Sequence, residues 1–195
     1  MPLHQRSEKG SHLDTLLYEI DMFRHCERAV RQGGVADDAP DAKRADYYLA
    51  IEGFLLHFRN LLAFLTNRKS KGTDIIINEP ETWAGRHVVQ REYSDLIKAC
   101  RELDHRYGVL ADGGPSTCYD EISKYLQHCT TLRYERAKEW PVEAIYAGIN
   151  PVLEAFEARF ARDATSFRAI QEGPAGTVGS TGSFRILGSP SAHHS

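Results

Sequence analysis

Residues 45–66, ADYYLAIEGFLLHFRNLLAFLT, form a helix-length run that is apolar almost all round, yet carries Glu52, His57, Arg59 and Asn60. A helix that is hydrophobic on every side belongs in the middle of a bundle. Its polar groups must then find partners on other helices, because an unpaired buried polar group is costly. The run therefore predicts an all-α fold, a bundle of four to five helices, and marks where its polar chemistry is concentrated.

Stepping this helix at about 100° per residue turns Ile51, Phe54, Leu55, Phe58, Leu61, Leu62 and Leu65 toward the core. Glu52 and Arg59 share one edge, separated by roughly 10 Å of rise, too far for the i,i+4 ion pair of exposed helices. His57 and Asn60 share the opposite edge. Between the edges, away from the core, fall Leu49, Leu56 and Ala63, where a solvated face would carry Lys or Glu. That back face is expected to be covered, by another helix of the chain or by a second copy; a symmetric homodimer is the commonest oligomer.

Elements on either side also read as helices. Leu13, Leu16, Leu17, Ile20 and Phe23 predict a first helix from about residue 12 until Gly33 and Gly34 end it. VADDAPDAKR, residues 35–44, reads as a connecting loop. Beyond about Asn67, NRKSKG is a polar exit, and DIIINEP is a short apolar stretch of strand-like composition without a visible partner strand. Val89, Tyr93, Leu96, Ile97, Cys100 and Leu103 mark a third helix, stopped near Gly108. Thr117 followed by Asp120 resembles a capping box and opens a fourth, carrying Ile122, Tyr125, Leu126 and Cys129. Pro141 is placed to start a fifth, running from Val142 to Phe160, which Pro151 is expected to kink. The expected organisation is a flexible N-terminal arm over residues 1–11, a helical bundle over 12–162, and a disordered Gly/Ser-rich tail over 163–195.

At 195 residues, 42% hydrophobic and 26% charged, the chain fits one globular core of ordinary size. A net charge of −3 supplies no global attraction to nucleic acid or anionic membrane, so RNA binding would have to be local. MPLHQRSEKGSH lacks the apolar stretch of a signal peptide. No run is read as reaching the ~18 to 20 uncharged apolar residues that span a bilayer. The expected location is cytoplasmic. Cys26, Cys100, Cys118 and Cys129 form no CxxC pair and read as small buried hydrophobes in a reducing compartment.

The chemistry available is narrow. A ferritin-like di-metal site needs two Glu-x-x-His motifs, and only Glu102 and His105 have that spacing. His25, His57 and His128 sit on three helices, but their spacing gives no positive signal for a metal. No metal or other cofactor is expected. Nucleophile elbows and phosphate-cradling glycine motifs are absent. What remains is a metal-independent site in which Arg59 neutralises phosphate charge and His57 or His128 carries protons, the minimum for cleaving RNA through its own 2′-OH.

IEGFLLHFRNLLAFL, ISKYLQHCTTLRYER and WPVEAIYAGINPVLEAF together resemble a group of short uncharacterised bacterial helical-bundle proteins. More distantly, the arrangement with its internal Arg59-Asn60 pair is similar to the HEPN superfamily, helical bundles that often dimerise and include ribonuclease toxins. Over residues 12–162 the resemblance implies a bundle of four or five helices, dimeric, serving as an enzyme or as a binding domain. The HEPN ribonuclease signature is Arg followed after four to six residues by His; after Arg59 those positions hold Phe64, Leu65 and Thr66. Arg6 to His12 matches literally, but in the polar arm, and Arg101 to His105 is one residue short. Two readings follow. In one, the chain is a non-catalytic interaction module, homodimeric or bound to another protein, with Glu52, His57, Arg59, Asn60, His128 and Arg133 in a polar network that fixes helix register. In the other it is a metal-independent endoribonuclease or nucleotide-binding protein with His57, Arg59 and His128 catalytic.

Overall fold

The computed structural model describes residues 12–34, 40–68, 71–72, 74–108, 110–111, 114–127 and 140–161. Among these the fold is helical: α1 Leu13–Gln32, α2 Asp41–Leu65, the single turn α3 Pro80–Trp83, a 3-10 turn Gln90–Glu92, α4 Ser94–Arg106, α5 Cys118–Gln127 and α6 Val142–Phe160. Between α4 and α5, Leu110–Ala111 and Gly114–Pro115 form a two-residue antiparallel ladder with Leu110 opposite Pro115. His128, Cys129 and Arg133, the N-terminal arm and the Gly/Ser-rich tail lie outside the described residues.

α2 is the hub, packing against α1, α4 and α5, while α6 closes the other side against α4 and α1. It begins at Asp41, so residues 41–44 belong to the helix rather than to a loop. Ala, Lys and Arg are good helix formers even where no apolar periodicity announces them. Its buried face is Phe54, Leu55, His57, Phe58, Leu61, Leu62, Phe64 and Leu65. By length and composition α2 is long and apolar enough to cross a membrane, with Glu52 and Arg59 inside its apolar run; in this fold it packs as the core helix of the bundle.

Aromatic rings fill the two ends of the core. Phe23 stacks on Phe54 at 4.6 Å and on Tyr146 at 5.7 Å, joining α1, α2 and α6. At the other end Trp83, fully buried, meets Phe64, Phe156 and Phe160 at 5.7, 5.5 and 5.2 Å. The DIIINEP stretch makes no strand. Ile76 and Ile77 are buried, the Ile77 amide donates to the Phe64 carbonyl at 3.2 Å, and the Trp83 indole donates to the Ile77 carbonyl at 3.3 Å.

Two glycines set helix spacing. A Cβ at Gly53 would lie 2.9 Å from the Cys26 sulfur, and one at Gly148 would lie 2.7 Å from Leu103 Cδ2. With glycine at these positions α2 approaches α1, and α6 approaches α4, without displacing the Cys26 or Leu103 side chain.

α2 ends in a Schellman-type turn. Asn67 takes a left-handed φ of 65°, its amide donates to the Phe64 carbonyl at 3.2 Å, and the Arg68 amide reaches back to the Ala63 carbonyl at 2.8 Å. The turn reverses the chain and returns the Arg68 side chain to the bundle.

Candidate functional site

The polar residues of α2 divide between its two edges. On the α1 edge, one carboxylate oxygen of Glu19 accepts from His57 Nδ1 at 2.8 Å and from Asn60 Nδ2 at 3.0 Å. His57 and Asn60 are three residues apart and therefore neighbours on one helix face. The Tyr18 ring stands edge-on to the His57 ring, centroids 6.1 Å apart. The carboxylate fixes the imidazole orientation, with Nδ1 carrying the proton.

On the α5 edge, Arg59 Nε donates to Ser123 Oγ at 2.6 Å and Nη2 donates to the Tyr119 hydroxyl at 2.9 Å. The guanidinium carbon of Arg59 lies 4.6 Å from the Tyr119 ring centroid, and that of Arg68 lies 4.5 Å from the same ring. Both are cation–π contacts of the close kind. Arg68 also donates from Nη2 to Asp104 Oδ2 at 2.8 Å and to Thr117 Oγ1 at 3.1 Å.

Asp104, buried on α4, joins this group to the start of α5. Its second oxygen accepts the Tyr119 amide at 2.9 Å, an N-terminal amide with no partner inside its own helix. Thr117 caps the same turn: its hydroxyl donates to Asp120 at 2.6 Å and accepts the Asp120 amide at 3.2 Å, as its spacing in the sequence suggests.

His57 and Asn60 thus meet on Glu19, whereas Arg59 turns to Tyr119 and Ser123 on the other edge. Among the described residues these are separate networks. Glu52 is half-buried on the Arg59 edge. Sequence reading missed Glu19, Arg68, Asp104, Tyr119 and Ser123. Asp104 carried a signal, four residues after Cys100 on the core face of α4, whereas Arg68 sat in a segment read as a polar exit.

A third cluster, also missed, ties the first helix to the last. Arg24 Nε donates to Asn150 Oδ1 at 3.0 Å, and its two terminal nitrogens grip Glu157 at 3.0 and 2.9 Å. The bidentate geometry is the strong form of this pair.

Among the described residues no three His, Cys, Asp or Glu side chains converge as a metal site would require. His25 is exposed. Cys26, Cys100 and Cys118 are buried free thiols. Burial raises the Cys26 thiol above its ordinary value and pushes Cys100 up to about 12, with the Asp104 charge adding to the effect. Such thiols are poor nucleophiles. The chain has no significant match among known protein families, curated proteins or solved structures.

Proposed function

We propose that the chain is a non-catalytic, HEPN-like helical interaction module whose polar residues hold helices in register rather than transform a substrate. One observation carries this reading: His57 and Arg59, two residues apart in sequence, are drawn to opposite edges of α2, each onto a packed partner. A general acid–base group and a phosphate-neutralising cation must share one substrate to work together. Here His57 is oriented by Glu19 and Arg59 by Tyr119 and Ser123. The buried free thiols accord with the reducing cytoplasm we propose as its location.

The test is incubation of wild-type protein and Arg59→Ala with structured RNA in EDTA, with thermal melts on the same samples. The expected outcome is no cleavage by either, and a melting temperature several degrees lower for Arg59→Ala. Its lost partners are hydroxyls and a ring, worth about 1–2 kcal/mol together. Cleavage by the wild type alone, at unchanged stability, overturns the reading in favour of a ribonuclease using Arg59.

A further inference from the structure

Among the described residues, no helix covers the back face of α2. Leu49 is 68% exposed and Leu56 44% exposed, and Tyr48 and Tyr18 flank the stripe at 59% and 44%. α1 covers one edge of the helix and α5 the other, and on the line between them Leu49 and Leu56 are exposed and Ala63 is half-buried. These positions recur every seven residues, the seam spacing of a helix that packs lengthwise against another helix. Large apolar residues exposed in register mark an interaction surface.

From this stripe we infer that α2 pairs antiparallel with α2 of a second copy, across a two-fold axis through Leu56. The inference deepens the interaction-module reading and rests on it. Charge chooses the occupant and its direction. Glu52 stands four residues before Leu56 and Arg59 three after it, on the same edge. With the axis at Leu56, Glu52 of each copy comes opposite Arg59 of the other, a complementary pair made twice. Leu49 of each copy comes opposite Ala63 of the other, large against small. A parallel pair, whose two-fold axis runs along the helices, carries the Glu52 and Arg59 edge of the two copies to opposite sides of the interface and forms neither pair. Only a self-complementary surface closes on itself in this way. The guanidinium of Arg59 carries five N–H donors, and its bonds to Ser123 and Tyr119 use two of them.

The test uses the full chain. Light scattering after size exclusion is expected to give a dimer for the wild type and a monomer for Leu56→Glu, with the helical melt of Leu56→Glu retained because position 56 is exposed. Under mild oxidation, Leu56→Cys is expected to form a covalent dimer, beyond any formed by the wild type. Leu49→Cys alone is not, but a mixture of Leu49→Cys with Ala63→Cys is. A monomeric wild type, or a dimer that survives Leu56→Glu, overturns the inference, as does Leu49→Cys cross-linking to itself as readily as Leu56→Cys, which reports a parallel pair. A wild type that is monomeric and does not cleave RNA sinks this interface while leaving the interaction-module reading with a different protein partner. RNA cleavage lost in Arg59→Ala at unchanged stability sinks the module reading itself.

Discussion

Arg68, the first residue past the reversing turn of α2, places Nη2 2.8 Å from Oδ2 of Asp104 on α4, while the other oxygen of Asp104 holds the Tyr119 amide at the start of α5. One buried carboxylate thus joins three helices. Asp104→Ala leaves that amide without its acceptor and takes from Arg68 its buried carboxylate, leaving it Thr117 Oγ1 and the Asp120 carboxylate at 3.5 Å. Removing one partner of a buried pair costs about 3–5 kcal/mol. Because Arg68 is itself 33% exposed, water takes up part of the loss, and about 2–3 kcal/mol is expected by urea denaturation. Asp104→Asn, which keeps one acceptor oxygen, should lose less.

Gly53 and Cys26 form a second measurable pair. In a helix, Gly→Ala ordinarily gains about 1 kcal/mol. Here the added Cβ would meet the Cys26 sulfur at 2.9 Å, so crowding of about 1–3 kcal/mol opposes that gain. Gly53→Ala is expected to be destabilising by about 1 kcal/mol in the wild type. In a Cys26→Ala background the same change should stabilise relative to Cys26→Ala alone. A double-mutant cycle by chemical denaturation reads the coupling; additive effects would show that the two helices do not touch here.

The Asp95–Arg159 pair predicts a pH dependence. Both carboxylate oxygens of Asp95 lie 2.7 Å from Arg159 nitrogens, and these hydrogen bonds, with the cation's charge, hold the Asp95 carboxyl below its ordinary value. A carboxyl lowered on folding adds stability above its unfolded value, near pH 3.9. That contribution is lost as pH falls through the lower folded value. Asp95 is 57% exposed, so solvent screening keeps the effect below ~1 kcal/mol. Asp95→Asn should therefore lower the neutral-pH melting temperature slightly, with the difference shrinking in acid and in high salt.

Much of this fold was legible because periodicity reports which way each side chain of a single helix faces. Stepping α2 at about 100° per residue separates His57 and Asn60 from Glu52 and Arg59, the division the structure keeps. The Thr117–Asp120 spacing likewise announced a cap. What periodicity lacks is the rotation of one helix about its neighbour. Glu19 was one more polar residue between Leu17 and Ile20 until α1 packed against α2 and aimed it at His57. Arg68 was read as leaving the bundle, since nothing local showed that Asn67 would adopt a left-handed φ and fold the chain back. The expected cover of the back face is not supplied by the described helices, because α1 and α5 flank that stripe instead of crossing it.

The grip of Arg24 on Glu157 spans 133 positions of sequence, and its consequence is one of timing. As the chain emerges during synthesis, α1 and α2 appear first, with Phe23 and Phe54 turned toward a space that Tyr146 must enter. Trp83 follows, before Phe156 and Phe160 exist to meet it. Until α6 has been made, the nascent polypeptide carries both aromatic faces uncovered and Arg24 without Glu157, the kind of exposed apolar surface that draws chaperones or aggregates. The last described helix is thus the keystone of the bundle, and a chain cut short before it holds most of the core's residues and neither end of its closure.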